Sequence, residues 1–161
     1  MTRPSRDEML ARIAEGVAMR STCARGHVGA VISRDGRIIS TGYNGAPANM
    51  PHCDHSELFE LRREAHRSGD FSSEWYDGQV RLKALEEQTC LDSVHAEANA
   101  IAFAARYGVA TEGSCLHTTH SPCLECAKLI VNAGITEVYS TREYRLTEGV
   151  DLLIAAGVRY N

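Results

Sequence analysis

No run of apolar residues in this chain approaches the length of a membrane-spanning helix, and Met1-Thr2-Arg3-Pro4 does not open a secretory leader. The expectation is a cytoplasmic protein with no membrane partner. An excess of positive charge is missing too. Seventeen Lys and Arg stand against 21 Asp and Glu, a formal net charge of −4, which speaks against a polymeric nucleic acid as partner. A local basic pocket for one phosphate remains compatible with that balance. There is no internal repeat, linker or low-complexity tract, so the 161 residues are expected to form one domain over 1–161. Six cysteines without a leader read as metal ligands and core thiols rather than as a disulfide framework.

What the chain does have is His95-Ala96-Glu97 followed, 28 positions after His95, by Cys123 within Pro122-Cys123-Leu124-Glu125-Cys126. Alone, Cys-x-x-Cys is a redox pair or half of a structural zinc site, and His-x-Glu is a solvated helix face. Together, with Pro122 before the first cysteine, they make the H-x-E…P-C-x-x-C signature of zinc deaminases. Zinc takes four nitrogen or sulfur ligands in tetrahedral array, and a catalytic site leaves one position for water. His95, Cys123 and Cys126 supply three. Glu97, in the first turn of a helix that His95 opens, can reach that water without binding metal and serve as general acid and base. The chemistry this pattern predicts is hydrolysis of an amine on a nucleobase.

The rest of the chain alternates in a readable order. Ser5 and Glu8 form a capping-box pattern ahead of Met9, Leu10, Ile13, Ala14 and Val17, which predicts a helix over 5–20. Runs 28–33 and 37–43 are β-rich around Arg34-Asp35-Gly36, a hairpin signal. Gly42, Gly45 and Pro47 mark a loop. An insert over about 51–90 is polar and weakly periodic, with helical patches at 56–68 and 79–88. Then come a helix over 95–107, a strand over 114–119, a helix over 123–132, a strand over 137–140, a helix over 147–156 and a strand over 158–160. This order predicts an α/β fold, a three-layer α/β/α sandwich with a mixed central sheet of about five strands. Both halves of the metal motif fall at helix N-termini, whose partial positive charge favours thiolates.

The chain resembles the deoxycytidylate (dCMP) deaminases of bacteria and phages, within the cytidine deaminase superfamily. The resemblance is carried by Arg20-Ser21-Thr22-Cys23, Val28-Gly29-Ala30-Val31-Ile32, Gly42-Tyr43-Asn44-Gly45-Ala46-Pro47, His52-Cys53, His95-Ala96-Glu97-Ala98-Asn99-Ala100-Ile101, Ser121-Pro122-Cys123-Leu124-Glu125-Cys126-Ala127-Lys128, Ala133-Gly134-Ile135 and Tyr144. It implies conversion of dCMP to dUMP and ammonia, supplying dUMP for thymidylate synthesis. It implies that Asn44 hydrogen-bonds the nucleotide near its sugar and that Tyr144 lines the base and sugar pocket. It implies activation by dCTP and inhibition by dTTP, with magnesium on the triphosphate, near the loop of Gly42, Tyr43 and Gly45. Phe103 and Arg106 match positions tied to regulation and subunit contact, and a homo-oligomer, a hexamer, is the implied assembly. Read without the resemblance, Asn44-Gly45 is a turn dipeptide, Phe103 a core residue, Arg106 a complement to a helix dipole, and Tyr144 an exposed aromatic.

The same resemblance implies a second, structural zinc on Cys23, Cys53 and Cys90, with free buried cysteines as the alternative. The common bacterial pattern has a histidine before the last of these, where this chain has Thr89. The fourth ligand is left to His55 or His66, with His52 a weaker choice. Cys115 reads as a core thiol, and His120, just before Ser121-Pro122, as a residue of the pocket wall. Phosphate recognition needs a cation or N–H donors. Arg25, before the first strand, is the candidate, with an ordinary surface arginine as the alternative. Competing substrates are dCTP, a 5-substituted dCMP and a free nucleoside. The long insert and the acidic balance speak against a tRNA adenosine deaminase. A non-catalytic zinc module has no use for Glu97.

Overall fold

Ser5 starts the first element as its capping pattern predicts. In the computed structural model, which describes residues 2–23, 25–65, 73–87, 90–143 and 146–161, helix α1 runs over Arg6–Ala18. The Glu8 amide donates to Ser5 Oγ at 3.1 Å, and the Ser5 amide donates to Glu8 Oε2 at 2.7 Å. Strands β1 (Gly29–Arg34) and β2 (Arg37–Tyr43) form an antiparallel hairpin. Asp35 and Gly36 turn it with φ of 53° and 74°, the left-handed pair that an Asp-Gly turn supplies at low cost.

The insert holds two helices, α2 (Ser56–Ala65) and α3 (Ser73–Glu87), packed on each other. Leu58 and Leu82 are buried. The helical patch at 79–88 is the C-terminal part of α3, which begins six residues earlier than the sequence suggested. Ser73-Glu74-Trp75-Tyr76-Asp77-Gly78 carries no helical apolar repeat, so only its packing partner makes it legible. Positions 66–68 and 88 lie outside the described residues.

The second half alternates as expected: α4 (Ala96–Arg106), β3 (Cys115–Thr118), α5 (Leu124–Asn132), β4 (Glu137–Ser140), α6 (Glu148–Ala155) and β5 (Arg159–Tyr160). The sheet order is β2-β1-β3-β4-β5, with β1 antiparallel to both neighbours and β3, β4 and β5 parallel. Period-two alternation sorts its side chains into two layers. Ala30, Ile32, Leu116 and Val138 face the core with Ala96, Ala100, Ala127, Ile130 and Leu153 of α4, α5 and α6. Val31 faces the other way, onto Leu10 and Ala14 of α1. His117 shares that side, stacked on Tyr139 at 4.7 Å, with Nε2 3.1 Å from Asp7 Oδ1. The result is the three-layer α/β/α sandwich with a mixed five-stranded sheet. Among the described residues no helix is long and apolar enough to cross a membrane.

Candidate active site

Two helix starts meet at one edge of the sheet. His95 is the N-cap of α4 and Cys123 the N-cap of α5, both extended, at φ −70° and ψ 155° or 169°. Neither side chain caps its own helix, so imidazole and thiol are turned to each other instead. Cys126 follows Cys123 by three residues, which puts it on the same helix face. His95 Nδ1 lies 3.4 Å from Cys123 Sγ and 3.4 Å from Cys126 Sγ. A tetrahedron with Zn–S near 2.3 Å and Zn–N near 2.0 Å has an N···S edge of about 3.5 Å, so the donor set fits zinc. Glu97 is 4% exposed, and its Oε2 sits 3.6 Å from Cys126 Sγ, beside the three donors rather than among them.

The electrostatics of the group are those of thiols forced together. Cys123 is pulled down to about 3, first by the hydrogen bond from Cys126 and then by His95, against the cost of burial. Cys126 is pushed up by that same sharing, by burial and by Glu97. His95 is raised, chiefly by Cys123, and burial raises Glu97. A dication between the sulfurs lets both ionise, which is the chemistry of a thiolate–imidazole zinc site.

A second group forms where the insert meets the body of the molecule. Cys23, Cys53, His55 and Cys90 bring four donor atoms within 4.8 Å of one another, and His55 Nε2 is 3.4 Å from Cys23 Sγ. Cys53 is pushed up to about 12 by burial and by the neighbouring Cys90 and Cys23. Of the histidines considered for a fourth ligand, the structure brings His55. His52 is exposed and outside the group, and His66 lies outside the described residues. The two groups differ in the way that separates structural from catalytic zinc sites: four donors here, three donors and a flanking carboxyl there.

Known proteins resemble this chain in sequence and in fold. A family model described as MafB19-like deaminase matches residues 5–153. The deoxycytidylate deaminase of Enterobacteria phage T2 is 38% identical, over 83% of this chain and 78% of its own. That of Mycobacterium phage D29 is 38% identical, over 89% of this chain and 99% of its own. The chain belongs to the deoxycytidylate deaminase family. A crystal structure of the dCMP deaminase from cyanophage S-TIM5, in complex with dCMP and dUMP, superimposes with a TM-score of 0.75 at 31% identity, covering 100% of this chain and 98% of that one.

The other residues singled out in this deaminase sequence fall in several places. Asn44 is 8% exposed and clamps the loop before β1: its Nδ2 donates to Gly26 O at 2.8 Å and its Oδ1 accepts the Val28 amide at 2.7 Å. One amide N–H and one lone pair are left over for a ligand. Gly42 faces α4 so closely that a Cβ would stand 2.2 Å from Ala96 O. Gly45 packs on Thr22 and bridges to Val94, and Tyr43 O accepts from Asn99 Nδ2 at 2.8 Å. Phe103 is 40% exposed rather than in the core, and Arg106 lies 5.9 Å from the Tyr107 ring. Arg25 Nη2 donates to Leu85 O at 2.6 Å, and Arg25 lines a cavity of about 200 Å³ with Asp54, His55 and Glu57. Cys115 is half-buried and donates to Glu137 Oε2 at 3.3 Å. Tyr144 lies outside the described residues.

Two supports of the site had no signal strong enough to be found in sequence. Asn99, one turn after His95, ties α4 to β2 through Tyr43 O. Gly149 lets α6 approach the cysteine turn, where a Cβ would stand 2.1 Å from Pro122 O.

Proposed function

We propose that this chain hydrolyses dCMP to dUMP and ammonia, with dUMP passing to thymidylate synthesis. The observation that carries it is the placement of His95 Nδ1 3.4 Å from both sulfurs with the buried Glu97 carboxyl alongside. It stands on a chain that aligns end to end with a deaminase holding dCMP and dUMP. His95, Cys123 and Cys126 would hold the zinc. Zinc at that position supplies Lewis acidity that makes a water nucleophilic near neutral pH. Glu97 takes the proton of the attacking water and delivers it to the ring nitrogen beside C4. As the C4–N bond breaks, Glu97 takes the remaining hydroxyl proton from C4 and passes it to the departing amine, which leaves as ammonia while C4 becomes a carbonyl. Asn44 meets the sugar with its remaining donor and acceptor, and Tyr144 lines the pocket. Of the cations in the loops at this edge, Arg25 is the one the sequence singled out for the phosphate.

The same reading gives Cys23, Cys53, His55 and Cys90 a structural zinc that fastens the insert. It assigns dCTP and dTTP, with magnesium, to an effector site near Gly42, Tyr43 and Gly45. Phe103 and Arg106, on the outer face of α4, go to contacts in a homo-oligomer, a hexamer, in the cytoplasm, with no polymeric nucleic acid as partner. Exposure of Phe103 supports that contact role. The test is ammonia release from dCMP, 5-methyl-dCMP, dCTP, deoxycytidine and adenosine, with and without dCTP or dTTP. Turnover of dCMP above the rest supports the reading. Turnover of only the triphosphate or only the nucleosides overturns it.

A further inference from the structure

We propose that the Cys23, Cys53, His55 and Cys90 group is a site of reversible oxidation, at which a peroxide joins Cys53 to Cys90 as a disulfide, releases the metal and weakens the hold on the substrate. This rests on the structural zinc and dCMP readings above. The four donor atoms lie within 4.8 Å of one another, so closing two sulfurs to a bond of about 2.05 Å takes a movement of at most about 3 Å. The neighbours select the pair. Cys23 is 2% exposed, and its sulfur is held by His55 Nε2 at 3.4 Å. Cys53 and Cys90 are half-buried, and the Cys53 thiol hydrogen-bonds to Cys90 and, with less effect, to Cys23.

Three thiolates and a neutral imidazole give a divalent ion a net negative charge, whereas His95, Cys123 and Cys126 leave it neutral. Sulfurs in the more anionic set are the stronger nucleophiles. The catalytic sulfurs are muted further, because they stand at the start of α5, where the Cys126 amide donates to Cys123, and Cys126 is 3% exposed. One thiolate of the Cys53–Cys90 pair attacks the peroxide, the O–O bond breaks, and the sulfur becomes a sulfenic acid as water leaves. The other thiolate attacks that sulfur, an S–S bond replaces the S–O bond, and a second water leaves. Each departing oxygen takes one proton from solvent. The peroxide gains two electrons, and each sulfur gives up one. Cys23 and His55 then remain as two donors where a tetrahedron needs four, and two do not hold the metal against water.

The segments that carry these donors lead directly to Asn44 and His95. Ser21 Oγ accepts the Cys23 amide at 3.2 Å and donates to Asn44 O at 2.8 Å, and the Thr22 amide donates to the same oxygen at 3.3 Å. Cys90 O accepts the Ser93 amide at 3.4 Å. Val94, next to His95, exchanges amide hydrogen bonds with Gly45 at 2.9 and 3.1 Å. A Cβ on Gly45 would stand 2.1 Å from Thr22 Oγ1, so the loops meet without slack. Drawing Cys90 to Cys53 and freeing Cys23 therefore displaces Asn44 and Gly45, while Cys123 and Cys126 stay on α5.

The deciding experiment treats the zinc-loaded wild type and Cys115→Ser with hydrogen peroxide. It follows zinc released to a chromogenic chelator, intact mass, peptide maps, and kcat and KM for dCMP. The expected result is release of about one zinc equivalent per chain, a mass lower by two hydrogens and a Cys53–Cys90 peptide. Loss of one hydrogen bond's worth of binding predicts a KM higher by about three- to tenfold, with a smaller change in kcat. A dithiol with added zinc restores both metal and KM, and Cys115→Ser behaves as the wild type does. Retention of both metals under peroxide, a cross-link through Cys123 or Cys126 instead, dependence on Cys115, or metal loss with KM unchanged overturns the proposal and leaves the structural zinc reading standing. A chain that binds a single equivalent before treatment sinks that reading and the proposal with it. An untreated enzyme that ignores dCMP sinks the substrate reading, and with it the claim on substrate binding.

Discussion

Gly42 shows how one absent carbon positions the chemistry. A side chain there would stand 2.2 Å from Ala96 O and 2.4 Å from Ala100 N, both backbone atoms of the helix that His95 opens. Gly42→Ala should therefore push α4 off β2. The expected cost is about 1–3 kcal/mol, read as a lower urea midpoint, together with reduced turnover because His95 and Glu97 move with the helix. An unchanged midpoint would mean that α4 can shift without loss. In the sequence, Gly42 and Gly45 mark only a loop, since a missing side chain carries no hydropathy from which a facing helix could be read. Asn44 was legible as a turn residue but not as the clamp that its two bonds to Gly26 and Val28 make it. His55 was one of three histidines within reach along the chain. Its choice needed the fold, because Cys23 and Cys90 lie 32 and 35 positions away from it.

At the scale of elements, the insert and the sheet edge depend on polar groups more than on apolar burial. The α2–α3 pair joins the body where Cys53 and His55 meet Cys23 from the end of α1 and Cys90 from the approach to α4. Cys53→Ser should lower bound zinc from two equivalents to about one per chain and speed amide exchange across 56–65 and 73–87. Retention of both metals with unchanged exchange would contradict the fastening role. At the other end of the sheet, Glu137 of β4 accepts from Arg159 of β5 at 3.0 Å and from Tyr139 at 2.8 Å. These partners, Arg159 first, hold Glu137 below its ordinary value of 4.5. A carboxylate held low in the folded state contributes fully above its ordinary pKa and loses that contribution as pH falls through the folded value. The Tm difference between wild type and Glu137→Gln should shrink as pH drops from about 5 to about 3. A difference constant across that window would place the ion pair outside the stability of the strand pair.

The elements themselves were legible wherever local chemistry and tertiary packing agree. The capping box of α1, the Asp-Gly turn of the hairpin and the alternation after residue 95 each point to the observed structure. The start of α3 was missed because Ser73 to Gly78 has no apolar repeat of its own.

For the whole molecule, the order of the elements brings distant residues to one edge. The α4 and α5 starts, 28 positions apart, converge because both helices cover the same face of the sheet. The loops after β3 and β4 leave the carboxyl ends of parallel strands, where the Ser121 amide donates to Arg142 O at 2.8 Å. The catalytic group could be read in sequence because its spacing follows from this architecture: a helix, a strand and a return. Its supports could not, because Asn99 and Gly149 act through close packing between elements that leaves no periodic trace. The central claim is that three protein donors and a separate carboxyl at this edge form a hydrolytic centre, and one variant tests it most directly. With Glu97→Gln assayed for ammonia release from dCMP alongside zinc content, the account predicts metal at the wild-type level and a rate lower by about 10²–10⁴-fold. Wild-type turnover at wild-type zinc content would contradict it.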